Sequence, residues 1–190
     1  MAAGTEDLRG GPGRHAVLFY SDGDELAGQV SEFLLEAIRA GGVAVVIATP
    51  AHRESIAATL AGAGIDVAAH QAAGLYVALD AFETMDRFMV ADWPNAASFW
   101  QVISPIIARA AEARAPVHVF GEMVALLWGF GRVSAAIEVE AMWNELAAQY
   151  SFSLLCSYPA DSVRGDQHQD ALAEVCRVHA SVTGDVPGRA

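Results

Sequence analysis

The chain has 190 residues, a formal charge of −12, and is 54% apolar but only 18% charged. That length suits one compact domain with a buried core, and that composition excludes an intrinsically disordered protein. All eleven basic residues are arginine. The negative field they leave argues against direct binding to nucleic acid or to an anionic membrane.

In chain order, residues 1–14 are Gly-rich and polar and read as a mobile lead-in. They lack the basic-then-apolar pattern of a signal peptide. His15 to Tyr20 is an apolar run of strand length. Asp24 is placed to cap a following helix, in which Leu26, Val30, Phe33, Leu34, Ala37 and Ile38 recur at helical spacing until Gly41-Gly42 stops it. Val43 to Thr49 is continuously apolar, as in a strand covered on both faces. Pro50 opens a second helix that ends near Gly62 and Gly64. Leu75 to Leu79 reads as a third strand, Glu83 to Val90 as a short helix, and Asp92-Trp-Pro-Asn95 as a turn. Ala96 to Ala115 is a long helix that Pro105 should kink or divide.

Val117 to Phe120 is a buried strand, Ser134 to Tyr150 a helix, and Phe152 to Cys156 the next strand. A last helix is expected from His168 to Val182, with Leu172, Val175, Cys176 and His179 on one face and a frayed tail from 183 onward. One domain therefore spans residues 15–182. No apolar run approaches the roughly 18 residues of a membrane span. Two core thiols, Cys156 and Cys176, without CxxC spacing suit a reducing, cytoplasmic compartment.

Strands alternating with helices predict an α/β fold in three layers, a mainly parallel sheet with helices on both faces. Such sheets bind ligands at the carboxyl ends of their strands. Those ends are Tyr20–Asp24, Thr49–His52, Asp80–Glu83, Gly121–Met123 and Cys156–Tyr158. The first of them follows a strand and opens a helix, where a P-loop would put its glycines and its lysine. Ser21-Asp-Gly-Asp-Glu-Leu26 has one glycine, no lysine and three acids. The layout of a nucleotide-binding protein is present, and the chemistry that holds phosphate is absent.

His15-x-x-x-Phe19-Tyr20, Gly74 to Asp80, Gly121-Glu122-Met123 with Leu127-Trp128, Leu155-Cys156-Ser-Tyr158 and Cys176-Arg-Val-His179 together resemble the MEDS sensory domain. That family is named for methanogen and methylotroph regulators, among them the sensory part of a dichloromethane-responsive repressor. The resemblance covers residues 15 to 182. It implies a relative of the KaiC/RecA-type ATPases with degenerate Walker motifs. Where the KaiC pattern has an acidic pair, this chain has Pro50-Ala51. It implies a sensor of small, hydrocarbon-derived signals that acts on transcriptional or kinase modules. With no such module fused, a stand-alone sensor is expected.

Tyr20 ends the first strand at the expected mouth, where its phenol can bond a ligand or its ring can cover a helix end. His15 starts the same strand on the opposite face, roughly 16 Å from Tyr20. It reads as a structural histidine bonded to backbone, although the resemblance marks it as a site residue. Glu122 follows a buried strand and needs a partner. It can anchor a polar ligand group or an ion, pair with Arg132 or Arg53, or cap a helix. Cys156 is expected to be a small core hydrophobe rather than a nucleophile, Tyr158 a pocket wall, and Trp128 a pocket or core aromatic. Cys176 and His179 make only two ligands, so no metal site is expected. Trp93, Trp100, Phe99, Phe88 and Met89 can form a lid or a core. His52, His70, His118 and His168 share no spacing and receive no role.

The expected function is a non-catalytic sensor that binds a small, largely apolar organic ligand, without a cofactor, and acts on a transcription regulator, an anti-sigma factor or a histidine kinase. A ligand-free adaptor, or a weak nucleotide hydrolase, is the alternative. An edge strand or the long helix after Trp93 can support a homodimer.

Overall fold

A computed structural model of the chain describes residues 13–165 and 168–185. Most of the lead-in and residues 186–190 of the expected tail lie outside the described residues. The strands are β1 (His15–Tyr20), β2 (Val43–Ala48), β3 (Tyr76–Asp80), β4 (Met89–Val90), β5 (Trp93–Pro94), β6 (Val117–Gly121), β7 (Ser153–Pro159) and β8 (Ser181–Gly184). The helices are α1 (Gly23–Arg39), α2 (Pro50–Gly62), α3 (Val67–Ala72), α4 (Ala81–Asp86), α5 (Ala96–Ala111), α6 (Met123–Gly129), α7 (Val133–Ala147) and α8 (Gln169–Val178).

Six strands form one sheet in the order β3-β2-β6-β7-β1-β8, and every neighbouring pair is parallel. A parallel sheet needs a crossover between neighbours, so helices cover both faces. Alternation along β1 sends Ala16, Leu18 and Tyr20 into the layer of α1 and α2, with Leu26, Leu34, Ile56 and Leu60. It sends Val17 and Phe19 to the other face, with α5, α6 and α7. β2 is buried at every position, which is why it carries no alternation in sequence. Trp143 of α7 sits in the second layer, edge-on to Phe99 at 5.4 Å and to Phe152 at 6.1 Å.

Several boundaries differ from the sequence reading, each for a local reason. Asp22, not Asp24, caps α1, because its extended backbone lets the carboxylate accept from the N–H groups of Asp24 and Glu25. Asp80 caps α4 in the same way, so that helix starts at Ala81 and stops at Asp86. The residues assigned to its second half form a hairpin, Met89 paired with Pro94 and Val90 with Trp93. Helix α5 runs through Pro105 without dividing. Helices α3 and α6 were not expected; each is short, α3 following α2 after a brief turn and α6 following β6 directly.

The largest difference is β8. The last helix ends at Val178, and Ser181–Gly184 pairs with Ala16–Phe19 as the sheet's outer strand. It occupies residues read as helix end and tail. At Gly184, φ is +83° and a Cβ would collide with the Phe19 carbonyl oxygen. Only glycine lets the chain end its ladder there, with the Asp185 N–H bonded to that oxygen at 2.9 Å.

Candidate functional site

The chain leaves β2 toward β3 and leaves β6 toward β7, in opposite directions across the sheet. A crevice at such a reversal is where parallel sheets place ligands. Glu122, the residue after β6, lies at that reversal. The N–H of Glu122 bonds to Ile47 O at 2.9 Å, which ties it to the end of β2. Its carboxylate is buried, accepts from the Thr49 N–H at 2.8 Å, and lies 2.6 Å from His52 Nδ1. Arg132 and Arg53, the partners considered from sequence, are engaged elsewhere, with Asp92 and Asp80. Glu122 occupies the N-cap of α6 but makes no side-chain cap bond.

His52 is the member of this site that sequence reasoning missed. It lies in the first turn of α2, and nothing in its spacing pointed to Glu122, 70 residues away. With Nδ1 donating to the carboxylate, the outer nitrogen Nε2 lies 3.8 Å from where a Cβ on Gly23, at the start of α1, would sit. Tyr20 stands edge-on to that ring at 6.4 Å. Burial first, and the Glu122 charge second, push the Tyr20 phenol up to about 12, so it is a hydrogen-bond donor across the physiological range. Beside the crevice, Arg53 bonds to Asp80 at 3.0 Å.

The hydrogen bond to Glu122 is the main cause that raises His52 above the ordinary histidine value; burial opposes it and the Glu122 charge adds to it. A base with a raised folded pKa adds stability that is complete below the unfolded value near 6.5 and is lost as pH rises through the folded value. The gap in unfolding free energy between the native protein and His52→Gln should therefore be widest below about pH 6 and shrink toward pH 8. Urea denaturation at several pH values measures it. His118, lowered first by burial, acts in the opposite direction but is common to both proteins.

The acidic turn after β1 makes hydrogen bonds within itself. Asp22 Oδ1 accepts from the Asp24 and Glu25 N–H groups at 3.0 and 2.9 Å, and Glu25 Oε2 accepts from the Ser21 N–H at 2.8 Å. Two N–H groups that the start of α1 would offer an anion, those of Asp24 and Glu25, are thus filled by the Asp22 carboxylate.

The remaining predicted residues gather away from this edge. His15 and Tyr20 stand at opposite ends of β1. The ring of His15 bonds through Nδ1 to Asn144 Oδ1 at 3.0 Å, not to backbone, and places Nε2 3.3 Å from Cys156 Sγ. Glu140, buried in the middle of α7, accepts from Tyr158 OH at 2.8 Å and from Cys156 Sγ at 3.2 Å. Burial alone would raise the Glu140 carboxyl, but His179 and His15 outweigh it and hold it well below the usual range. Burial, then the Glu140 charge, push the Cys156 thiol and the Tyr158 phenol well up, so neither is a nucleophile in this state. Tyr158 is fully buried rather than open to the mouth, and Trp128 packs edge-on to it at 5.4 Å while donating Nε1–H to Ser162 O. Of the aromatic group considered as a lid, Phe88 and Phe99 are core and Trp93 is half exposed.

A cleft of about 530 Å³ opens at the other edge of the sheet, at the amino ends of β6 and β7, lined by Glu36, Arg114, His118 and Phe152 among others. His118 is held there by Phe33 O at 2.7 Å. No described helix is long and apolar enough to cross a membrane.

No curated protein matches the chain. A family model does, over residues 14–180, from the residue before β1 to the one before β8. That span takes in Tyr20, His52 and Glu122 at the crevice together with the interior group around Glu140. A match across nearly the whole parallel sheet and both clusters places the chain in the MEDS family, the methanogen/methylotroph, DcmR sensory domain.

Proposed function

We propose that this sensory domain is non-catalytic. In this reading a small, largely apolar organic molecule with one hydrogen-bonding group binds at the carboxyl ends of β1, β2 and β6, and its occupancy is passed to a protein partner. The observation that carries the reading is the pairing of buried Glu122 with partly exposed His52, with Tyr20 edge-on to the imidazole, at the reversal of the sheet. Glu122 sets the tautomer, His52 and Tyr20 supply the polar contacts, and the surrounding apolar side chains supply the rest. The self-capped turn after β1 disfavours a polyphosphate at the same edge.

A protein output is supported by four exposed apolar side chains, Phe82, Val90, Trp93 and Phe130. Phe82 and Phe130 stand 6.4 Å apart. Groups of this kind mark protein contacts, and the charge of −12 suits a basic partner. A transcription regulator, an anti-sigma factor or a histidine kinase fits that description.

The test is thermal unfolding against short alcohols, amines, halogenated alkanes and simple aromatics, with ATP and magnesium as controls. A specific ligand at a hundred times its Kd should stabilise the protein by about 2.7 kcal/mol. Amide shifts on binding should centre on Tyr20, His52 and Glu122. Stabilisation by ATP and magnesium, or shifts centred on Arg114 and His118, would overturn the assignment. No effect from any compound, beside tight capture of one regulator, would favour an adaptor.

A further inference from the structure

We propose that His15, Glu140, Cys156 and His179 form a binding site for one divalent transition-metal ion of the zinc class. The site goes beyond the ligand crevice and is independent of it, since His15 and Tyr20 stand at opposite ends of β1. The four residues come from four places in the chain: the start of β1, the middle of α7, the middle of β7 and the residue after α8. Their ligand atoms all lie within 4.8 Å of one another, and all four residues are buried.

Three features separate this group from an ordinary buried polar cluster. The first is spacing. Glu140 Oε2 lies 3.2 Å from His15 Nε2, 3.2 Å from Cys156 Sγ and 3.5 Å from His179 Nε2, and His15 Nε2 lies 3.3 Å from Cys156 Sγ. Bonds of about 2.0–2.3 Å in a tetrahedral site put ligand atoms about 3.3–3.8 Å apart. Four of the six edges are thus already near that length.

The second is orientation. Nδ1 of His15 faces Asn144 Oδ1 at 3.0 Å, and Nδ1 of His179 faces Val175 O at 2.6 Å. Both rings spend their outer N–H on an acceptor and turn Nε2 inward, as metal-bound histidines do. Asn144 is itself fixed by donating Nδ2–H to Val178 O at 3.4 Å. Tyr158 occupies the other carboxylate oxygen, Oε1, and leaves Oε2 for the centre.

The third is an unpaid polar atom. His179 Nε2 is buried without a hydrogen-bond partner, with Glu140 Oε2 3.5 Å away. A cation at the centre would satisfy it.

The donors choose the ion. Two imidazoles, one thiolate and one carboxylate suit zinc in a tetrahedral site, and the nitrogen and sulfur argue against magnesium or calcium. A thiolate and a carboxylate balance a divalent charge, and the ion takes the place of the Cys156 proton and of the His179 Nε2 proton, both of which leave to solvent. With four protein ligands and no open position, the site is of the structural kind. It would fasten His179, and with it the start of β8, to β1 and β7.

The test uses the full chain, stripped with a chelator and titrated with zinc chloride and with cobalt chloride. One equivalent should bind and raise the melting temperature, and the cobalt form should show a thiolate-to-metal charge-transfer band. C156S should lose that band while keeping the native circular dichroism, and His179→Gln should bind at least tenfold more weakly. Amide exchange in residues 169–185 should slow on loading. No stoichiometric binding by the stripped protein would overturn the site, as would a charge-transfer band that survives in C156S. Should His179→Gln fail to fold, the C156S spectrum still decides.

Discussion

Replacing Glu140 with alanine is expected to lower the unfolding free energy by about 3–5 kcal/mol in metal-free buffer, the cost of removing one partner from a buried charged group. Glu140 has no solvent exposure and is the shared acceptor for Tyr158 OH and Cys156 Sγ. It also faces two imidazoles, His15 at 3.2 Å and His179 at 3.5 Å. Without it, burial, the largest influence on His179 and one that lowers its pKa, is opposed only by the Val175 carbonyl, so the ring loses the charge that Glu140 supports. For a domain of this size the loss corresponds to a drop of roughly 6–20 °C in melting temperature. Glu140→Gln retains an acceptor for Tyr158 and should lose less. Chemical denaturation with matched m-values measures both. A loss below about 1 kcal/mol for alanine would show that the network is not a stability element.

Glu122→Ala is the second large effect, and it separates stability from sensing. It orphans the Thr49 N–H, 2.8 Å away, and leaves His52 without its partner. A loss of roughly 2–4 kcal/mol follows from a charged acceptor removed from a buried backbone donor and a histidine. Glu122→Gln keeps an oxygen for Thr49 and should retain most of the stability. It no longer fixes the His52 tautomer, so affinity for the organic ligand should fall at least tenfold in both variants. Titration calorimetry on the folded Gln variant is the decisive measurement. Unchanged affinity there would remove Glu122 and His52 from the binding site.

Much of the fold was legible because covered strands leave a local mark. Val43–Ala48 is wholly apolar, and α1 repeats its apolar residues at helical spacing. The short pieces were illegible for the opposite reason. Ser181–Gly184 has too few apolar residues to declare itself and is a strand only because β1 offers an unpaired edge. Met89–Val90 and Trp93–Pro94 pair across a turn, where a helical pattern was also readable.

The site divides in the same way. Glu122 stood out because an acid after an apolar strand has to be satisfied. His52 did not, because a histidine in the first turn of a helix carries no local constraint. Glu140 was hidden on the face of α7, among residues whose spacing is satisfied by an ordinary amphipathic helix. Cys176 looked like the partner of His179 because they share a turn, yet the sheet brings Cys156 to that position instead.

By itself, the sequence determined the layering of strands and helices and the acidic, lysine-free turn after β1, since both depend on neighbours along the chain. Only the tertiary structure decided which side chains meet: His52 with Glu122 across the reversal of the sheet, and His15, Cys156 and His179 around Glu140. Periodicity records how each segment faces the core. The meeting of segments more than a hundred residues apart, such as His15 with Asn144 and Cys156, depends on strand order, which no local pattern encodes.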